Sequence, residues 1–243
     1  MTTPKIVLCI PGQWKDRTDI VTSIAEKSGG WLFAGAVLME VATGQHYRLE
    51  IYDHDPNLKH AFAMANYSRR DLSEEDFRAI ESHSFALYLI GDGGSFAAAR
   101  KTMEAACALL KSGGTAIKVE SAGLSHSAAN WETLAKAESD AALYYAFVAL
   151  VADESSVYSC GMHLLGLPDA GVATTPHATD LPELLKTFLL YQLVERPTLL
   201  AGQTFSVDRE APRYYLAFEE CSKYDADDLF LNPYGMWRLT EIV

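Results

Sequence analysis

Cysteines are few in this chain: Cys9, Cys107, Cys160 and Cys221 in 243 residues, with no two of them two residues apart. Zinc knuckles and dithiol redox centres need such close pairs, and small secreted domains need a denser disulfide framework. The scattered thiols point instead to a reducing, cytoplasmic compartment. Basic residues are also scarce, with 20 Lys and Arg against 32 Asp and Glu and a net charge of −12. Nucleic-acid binding needs a basic stripe, so that partner is excluded. No apolar run approaches the roughly 18 residues that span a bilayer, and the first residues run into a strand pattern rather than a leader, so no membrane association is expected. Cofactor fingerprints are missing as well: there is no Gly-x-Gly-x-x-Gly, no P-loop lysine, no His-Glu-x-x-His and no Gly-x-Ser-x-Gly. Neither a cofactor nor a metal is expected. Asp53, His54, Asp55 and His60 offer ligand types, but their spacing matches no established metal site. His83, His163 and His177 each stand alone.

What the chain does have is apolar content, 49% of its residues, enough for a substantial core without cross-links. Residues 5–10 read as a strand ended by Pro11 and Gly12. A helix follows over 16–27, with Ile20, Val21 and Ile24 inward. Residues 31–41 are an apolar run that pairs, as a hairpin, with the alternating Tyr47, Leu49 and Ile51. Short helices are expected over 55–67 and 73–82, the second opened by the capping box of Ser73. A buried strand spans 85–90. A helix over 95–112 is marked by Phe96, Ala99, Met103, Ala106 and Leu110, a strand covers 116–120, and a helix covers 127–137. In the second half, residues 143–152 read as a strand, 171–174 as a strand and 180–195 as a helix. Residues 202–207 and 213–218 form an antiparallel pair, and a strand over 236–242 closes the chain. The fold expected is α+β. A ferredoxin-like split βαβ with an added parallel crossover fills residues 1–140, and a smaller α+β half over 141–243 packs on it as one globular unit.

Chemistry concentrates in two segments. Gly91, Asp92, Gly93, Gly94 and Ser95 lie between a buried strand and a helix start. Glycines there free backbone N–H groups that, with the helix dipole, can hold an anion; a tight connecting turn explains the same residues. Lys118 and Glu120 project from one face of the next strand, followed by Ser121, Ser125, His126 and Ser127. If the strands over 85–90 and 116–120 are parallel neighbours, both segments leave one sheet edge, where open α/β folds bind ligands. His126 with a serine and Glu120 or Asp92 has the residue types of a catalytic triad, whereas Ser127 also suits a helix N-cap. The acidic Asp225, Asp227 and Asp228, near Glu219 and Glu220, read as a solvated face or one suited to a basic partner.

The second half resembles a bacterial family catalogued as domain-of-unknown-function family 4261. The likeness is carried by Tyr158, Ser159, Cys160, Gly161, Met162, Gly166, Pro168 and Asp169, the helix running to Tyr191, and the closing Asp227, Asp228, Asn232, Pro233, Gly235 and Trp237. The resemblance implies a bacterial, cytoplasmic α+β protein and carries no catalytic or binding residues with it. The function expected is therefore a non-enzymatic binding or protein-interaction module, defence or immunity included. Its partner is a protein or a small anionic ligand, and homo-oligomerisation is left open. The alternative is a hydrolase or transferase working from residues 91–95 and 121–127.

Overall fold

Short polar side chains set most of the helix starts. In the computed structural model, which describes residues 3–67, 69–174 and 180–242, Asp16 caps α1 (Arg17–Lys27) by accepting the Asp19 N–H at 2.9 Å. Helix α2 (Leu58–Ala65) has no such side-chain cap. Ser73 and Asp76 form the reciprocal capping box of α3 (Glu74–Glu81), Ser95 caps α4 (Phe96–Lys111), and Ser127 caps α5 (Ala128–Lys136). On α4 the apolar spacing works as expected, because Ala99, Met103, Ala106 and Leu110 are all buried. His177 lies outside the described residues.

The first sheet contains β1 (Lys5–Gly12), β2 (Trp31–Ala34), β3 (Val37–Glu40), β4 (His46–Asp53), β5 (Phe85–Asp92), β6 (Ala116–Val119) and β7 (Leu124–Ser127). Its order is β2-β3-β4-β5-β1-β6-β7, with every pairing antiparallel. Three expectations are corrected here. Strands β5 and β6 run parallel but are not neighbours, since β1 lies between them and pairs with both. Residues 31–41 make their own hairpin at Gly35, whose φ of +63° suits glycine, and β4 then extends it into a three-stranded meander. Residues 124–127 are a strand returning along β6 rather than a loop. The reversal is made by the turn at Ala122 and Gly123, both of whose N–H groups reach the Val119 carbonyl.

The path from β1 through α1 and the hairpin β2-β3 to β4, and the connection β5–α4–β6, each step over one strand. Ile20 and Ile24 of α1, and Ala99 and Met103 of α4, cover the face bearing Ile6, Leu8, Leu87 and Leu89. On the opposite face α2 and α3 cover only part of the sheet, where Leu58, Phe62 and Ile80 meet Cys9, Ala86 and Ala116.

Residues 143–152 are corrected as well. They begin inside α6 (Ala141–Phe147) and end as β8 (Ala149–Ala152). Ala142, Leu143, Tyr144, Ala146 and Phe147 are all buried, so the helix shows no polar face, and a short apolar run of that kind reads equally as strand. The second sheet comprises β8, β9 (Ser156–Cys160), β10 (Asp169–Ala173), β11 (Thr204–Phe205), β12 (Tyr214–Glu219) and β13 (Met236–Glu241), in the order β11-β12-β13-β10-β9-β8. Only β10 and β13 are parallel. Helix α7 (Leu181–Glu195) buries Leu184, Leu185, Phe188 and Leu189 over it. One continuous buried cluster runs from Ile6 in the first sheet to Leu239 in the second. Among the described residues no helix is long and apolar enough to cross a membrane.

Candidate functional site

Both crossovers deliver their loops as the topology requires. The C-terminal ends of β5 and β6 reach the same rim, beside the start of β1. The rim therefore gathers Gly91, Asp92, Gly93, Gly94, Ser95, Lys118, Glu120 and Ser121, with β1 running through its middle.

The polar groups at this rim are engaged by the fold itself. Gly91 and Asp92 belong to β5, opposite Ile6 and Lys5, and Asp92 pairs with the Lys5 ammonium. The Gly93 N–H donates to the Pro4 carbonyl at 2.8 Å, and the Gly94 N–H to the Leu164 carbonyl at 2.9 Å. Ser95 accepts the Ala98 N–H at 3.2 Å. The turn is also closely covered: a Cβ on Gly94 would stand 2.6 Å from the Tyr234 hydroxyl, and one on Gly166 would stand 2.4 Å from the Gly94 carbonyl. Its glycines thus allow the 3-10 turn Met162–Leu165 and Tyr234 to seat against the first sheet. Lys118 and Glu120 form an ion pair with each other. The buried Ser121 hydroxyl accepts the Val7 N–H at 2.8 Å, and the Glu120 N–H donates to the Val7 carbonyl at 2.8 Å.

His126 and Ser127 are not at this rim. They lie on β7 opposite Ile117 and Ala116, about five residues, or roughly 17 Å, along the sheet from Asp92. The His126 ring is buried. Its Nε2–H donates to the Ala146 carbonyl at 3.0 Å, and its Nδ1 accepts from the Asn130 amide at 3.3 Å. Burial, reinforced by the nearby Arg69 guanidinium, pulls its pKa from 6.5 down to about 4, so the ring is neutral at pH 7. Asp71 stands 3.7 Å from Nδ1 and accepts from the Ser127 N–H and the Asn130 amide. Ser125 donates to the Phe62 carbonyl. No serine hydroxyl is bonded to the imidazole among the described residues, so the hydrogen bond that activates a nucleophile is missing.

A second buried polar cluster joins residues of the second half. Asp169 is buried; Ser159 and Asn232 each donate to its carboxylate at 2.6 Å, and the Met162 N–H donates at 3.3 Å. Burial raises its pKa to about 6 despite those donors. His163, six residues before it, donates from Nε2 to the Leu229 carbonyl at 3.0 Å, while its buried Nδ1 has no partner among the described residues. Burial lowers its pKa to about 4. His54 and His83 stack at 4.5 Å, and among the described residues no three metal-ligating side chains converge.

One open feature of the molecule is a cleft of about 410 Å³ where the two sheets approach each other; a wider, shallower depression of about 810 Å³ lies beside α7 and β11. Met64, Ala65 and Tyr67 form one wall of the cleft, the turn residues Ala122 and Gly123 form the floor, and β8 with Cys160, Tyr224 and Phe230 forms the other wall. Small side chains leave the space, and the Tyr224 and Phe230 rings, 5.4 Å apart, flank it. Its polar groups are uncharged at neutral pH: burial pushes the Cys160 thiol well above its ordinary range, and burial beside Tyr158 does the same for the Tyr224 phenol. The sequence signal for this cleft was the uncharged run from Phe147 to Ala152, which reads as buried strand until the pairing shows β8 at an edge.

Fold and cleft define a two-sheet α+β protein with an apolar inter-sheet groove. Comparison with family models, curated proteins and solved structures gives no match for this chain.

Proposed function

We propose that this chain is a non-enzymatic protein-interaction module. One observation carries the reading: the polar groups of the two candidate loops are spent on backbone and side-chain partners within the fold, while the apolar cleft stays open. The alternative, a hydrolase or transferase working from residues 91–95 and 121–127, needs an imidazole bonded to a hydroxyl and free N–H groups at the glycine turn. His126 is instead buried, with its two ring nitrogens bonded to Ala146 and Asn130.

The same proposal reads the central strands β4-β5-β1-β6, with α1 and α4 on one face, as a ferredoxin-like split unit. It also retains a bacterial, cytoplasmic origin and the likeness to the unknown-function family. The fully buried, unpaired thiols of Cys9 and Cys160 support a reducing compartment.

A panel of ester, amide, phosphoester and glycoside substrates tests the reading. The wild-type chain should give no turnover above the buffer blank. Turnover that Ser121→Ala or His126→Gln abolishes while the protein stays folded would overturn the proposal.

A further inference from the structure

We infer that the cleft beside β8 accepts an extended peptide segment of a partner protein, which adds to the sheet as a further strand and carries basic residues beside a short apolar centre. The inference rests on the interaction-module reading and names that module's surface and partner.

Backbone geometry supplies the first argument. Among the described residues β8 is the outermost strand of its sheet, and its ladder is made with β9 alone. Among the described residues, no other backbone or side-chain group bonds the N–H or C=O groups of Ala149, Leu150, Val151 or Ala152. Edge strands are ordinarily blunted by lysine, proline, a bulge or a covering element; these four residues contain neither lysine nor proline. Immediately before the strand, the Arg69 guanidinium donates to the Val148 carbonyl at 2.6 Å, which closes that end and leaves the edge open from Ala149 onward.

The shape of the cleft supplies the second. All four β8 residues line it, although alternate residues of a strand point to opposite faces. A cleft touching every one of them runs along the strand's edge. Four residues of strand span about 14 Å, and the facing wall of Met64, Ala65 and Tyr67 would cover a strand laid there. Tyr67 is 81% exposed and Met64 65% exposed, so these large apolar side chains lack cover of their own. Strand addition combines main-chain hydrogen bonds for affinity with side-chain pockets for selectivity, and both are present.

Charge selects the occupant. Exposed Asp153 and Glu154 follow β8 directly, and exposed Asp225, Asp227 and Asp228 lie between the lining residues Tyr224 and Phe230. Lys223 is already paired with Asp153, so Glu154 and the three aspartates carry the remaining negative charge, against Arg69 at the closed end of the edge and Arg70 next to the opposite wall. A small anion finds no cation in the lining. A second copy of this chain would bring its own carboxylates against these. A peptide with Lys or Arg beside an apolar centre meets complementary charge at the Ala152 end of the edge, where the carboxylates follow β8.

The test selects phage-displayed random dodecapeptides on the whole chain, then measures one enriched peptide, synthesised and labelled, by fluorescence anisotropy. Enriched sequences should carry an alternating apolar centre with Lys or Arg beside it. Proline placed in the centre should abolish binding. Tyr67→Ser and Ala152→Lys change exposed positions, so the urea midpoint should stay at the wild-type value. Each should weaken binding at least about tenfold by removing a wall or charging the edge. No enrichment, prolines without effect, or peptides that bind both variants like wild type would each overturn the inference. In that last case the module reading survives with its surface elsewhere. Cleavage of the bound peptide would instead leave the cleft in place and overturn the non-enzymatic reading.

Discussion

Acidifying a solution of this protein from pH 7 to pH 5 should destabilise it through two histidines that it buries in neutral form. His126 and His163 have folded pKa values of about 4 against an ordinary 6.5. Their unfolded forms gain a proton in this window and their folded forms do not. For a group whose folded pKa is depressed, stability is present above the unfolded value and drains as the pH falls toward the folded one. Linkage puts the loss at about 2 kcal/mol per histidine at pH 5. Asp169 acts in the opposite direction. Its folded pKa of about 6 lies above the ordinary 3.8, so its contribution is largest in acid and fades as pH rises through 6. Going from pH 7 to 5 it returns about 1 kcal/mol. His83, lowered mainly by burial, adds in the histidines' sense, and the depressed carboxylates Asp140 and Asp153 titrate below the window. The two histidines and Asp169 together give a net loss of about 3 kcal/mol. His126→Gln should cut that loss to about 1 kcal/mol, and Asp169→Asn should widen it to about 4 kcal/mol. Urea unfolding at constant ionic strength, at the two pH values, reads these differences directly. The reasoning fails if the His126→Gln chain loses as much stability between pH 7 and 5 as the wild type does.

Substitutions at three other positions probe the joints. Ser121→Ala leaves the Val7 N–H without its acceptor and should cost about 1–2 kcal/mol in urea unfolding; an unchanged midpoint would mean that water replaces the hydroxyl freely. Gly166→Ala combines a left-handed backbone, φ +80°, with a Cβ 2.4 Å from the Gly94 carbonyl. A loss above about 2 kcal/mol is expected, because backbone on both sides has to yield, with limited proteolysis showing earlier cutting between the halves. Ser73→Ala should cost about 1 kcal/mol by removing the capping box, and Ser73→Asp should restore most of it.

Local signals were legible in the sequence and non-local ones were not. Asp16, Ser73, Ser95 and Ser127 announce their helices because a cap is made within three residues of itself. Three-and-four spacing placed α4 for the same reason. By contrast, the insertion of β1 between β5 and β6 is decided by registers across nearly the whole first half, and nothing local to residues 5–12 encodes it. That also dissolved the expected single pocket: Gly123 starts a hairpin that carries His126 away from Ser121. The serines and glycines of residues 91–127 looked like chemistry because small polar residues serve turns, caps and close packing as readily as they serve ligands. The edge position of β8, and with it the cleft, follows only once the pairing of the second sheet is known.

The central place of β1 bears on how the chain is made. This strand leaves the ribosome ahead of both its neighbours, and its partners emerge about 80 to 110 residues later. Until then the apolar segment holding Ile6, Leu8 and Ile10 has no sheet to enter. A nascent chain of this kind keeps its first strand waiting, so folding should be slow and chaperone holding useful until α4 and β6 have been synthesised.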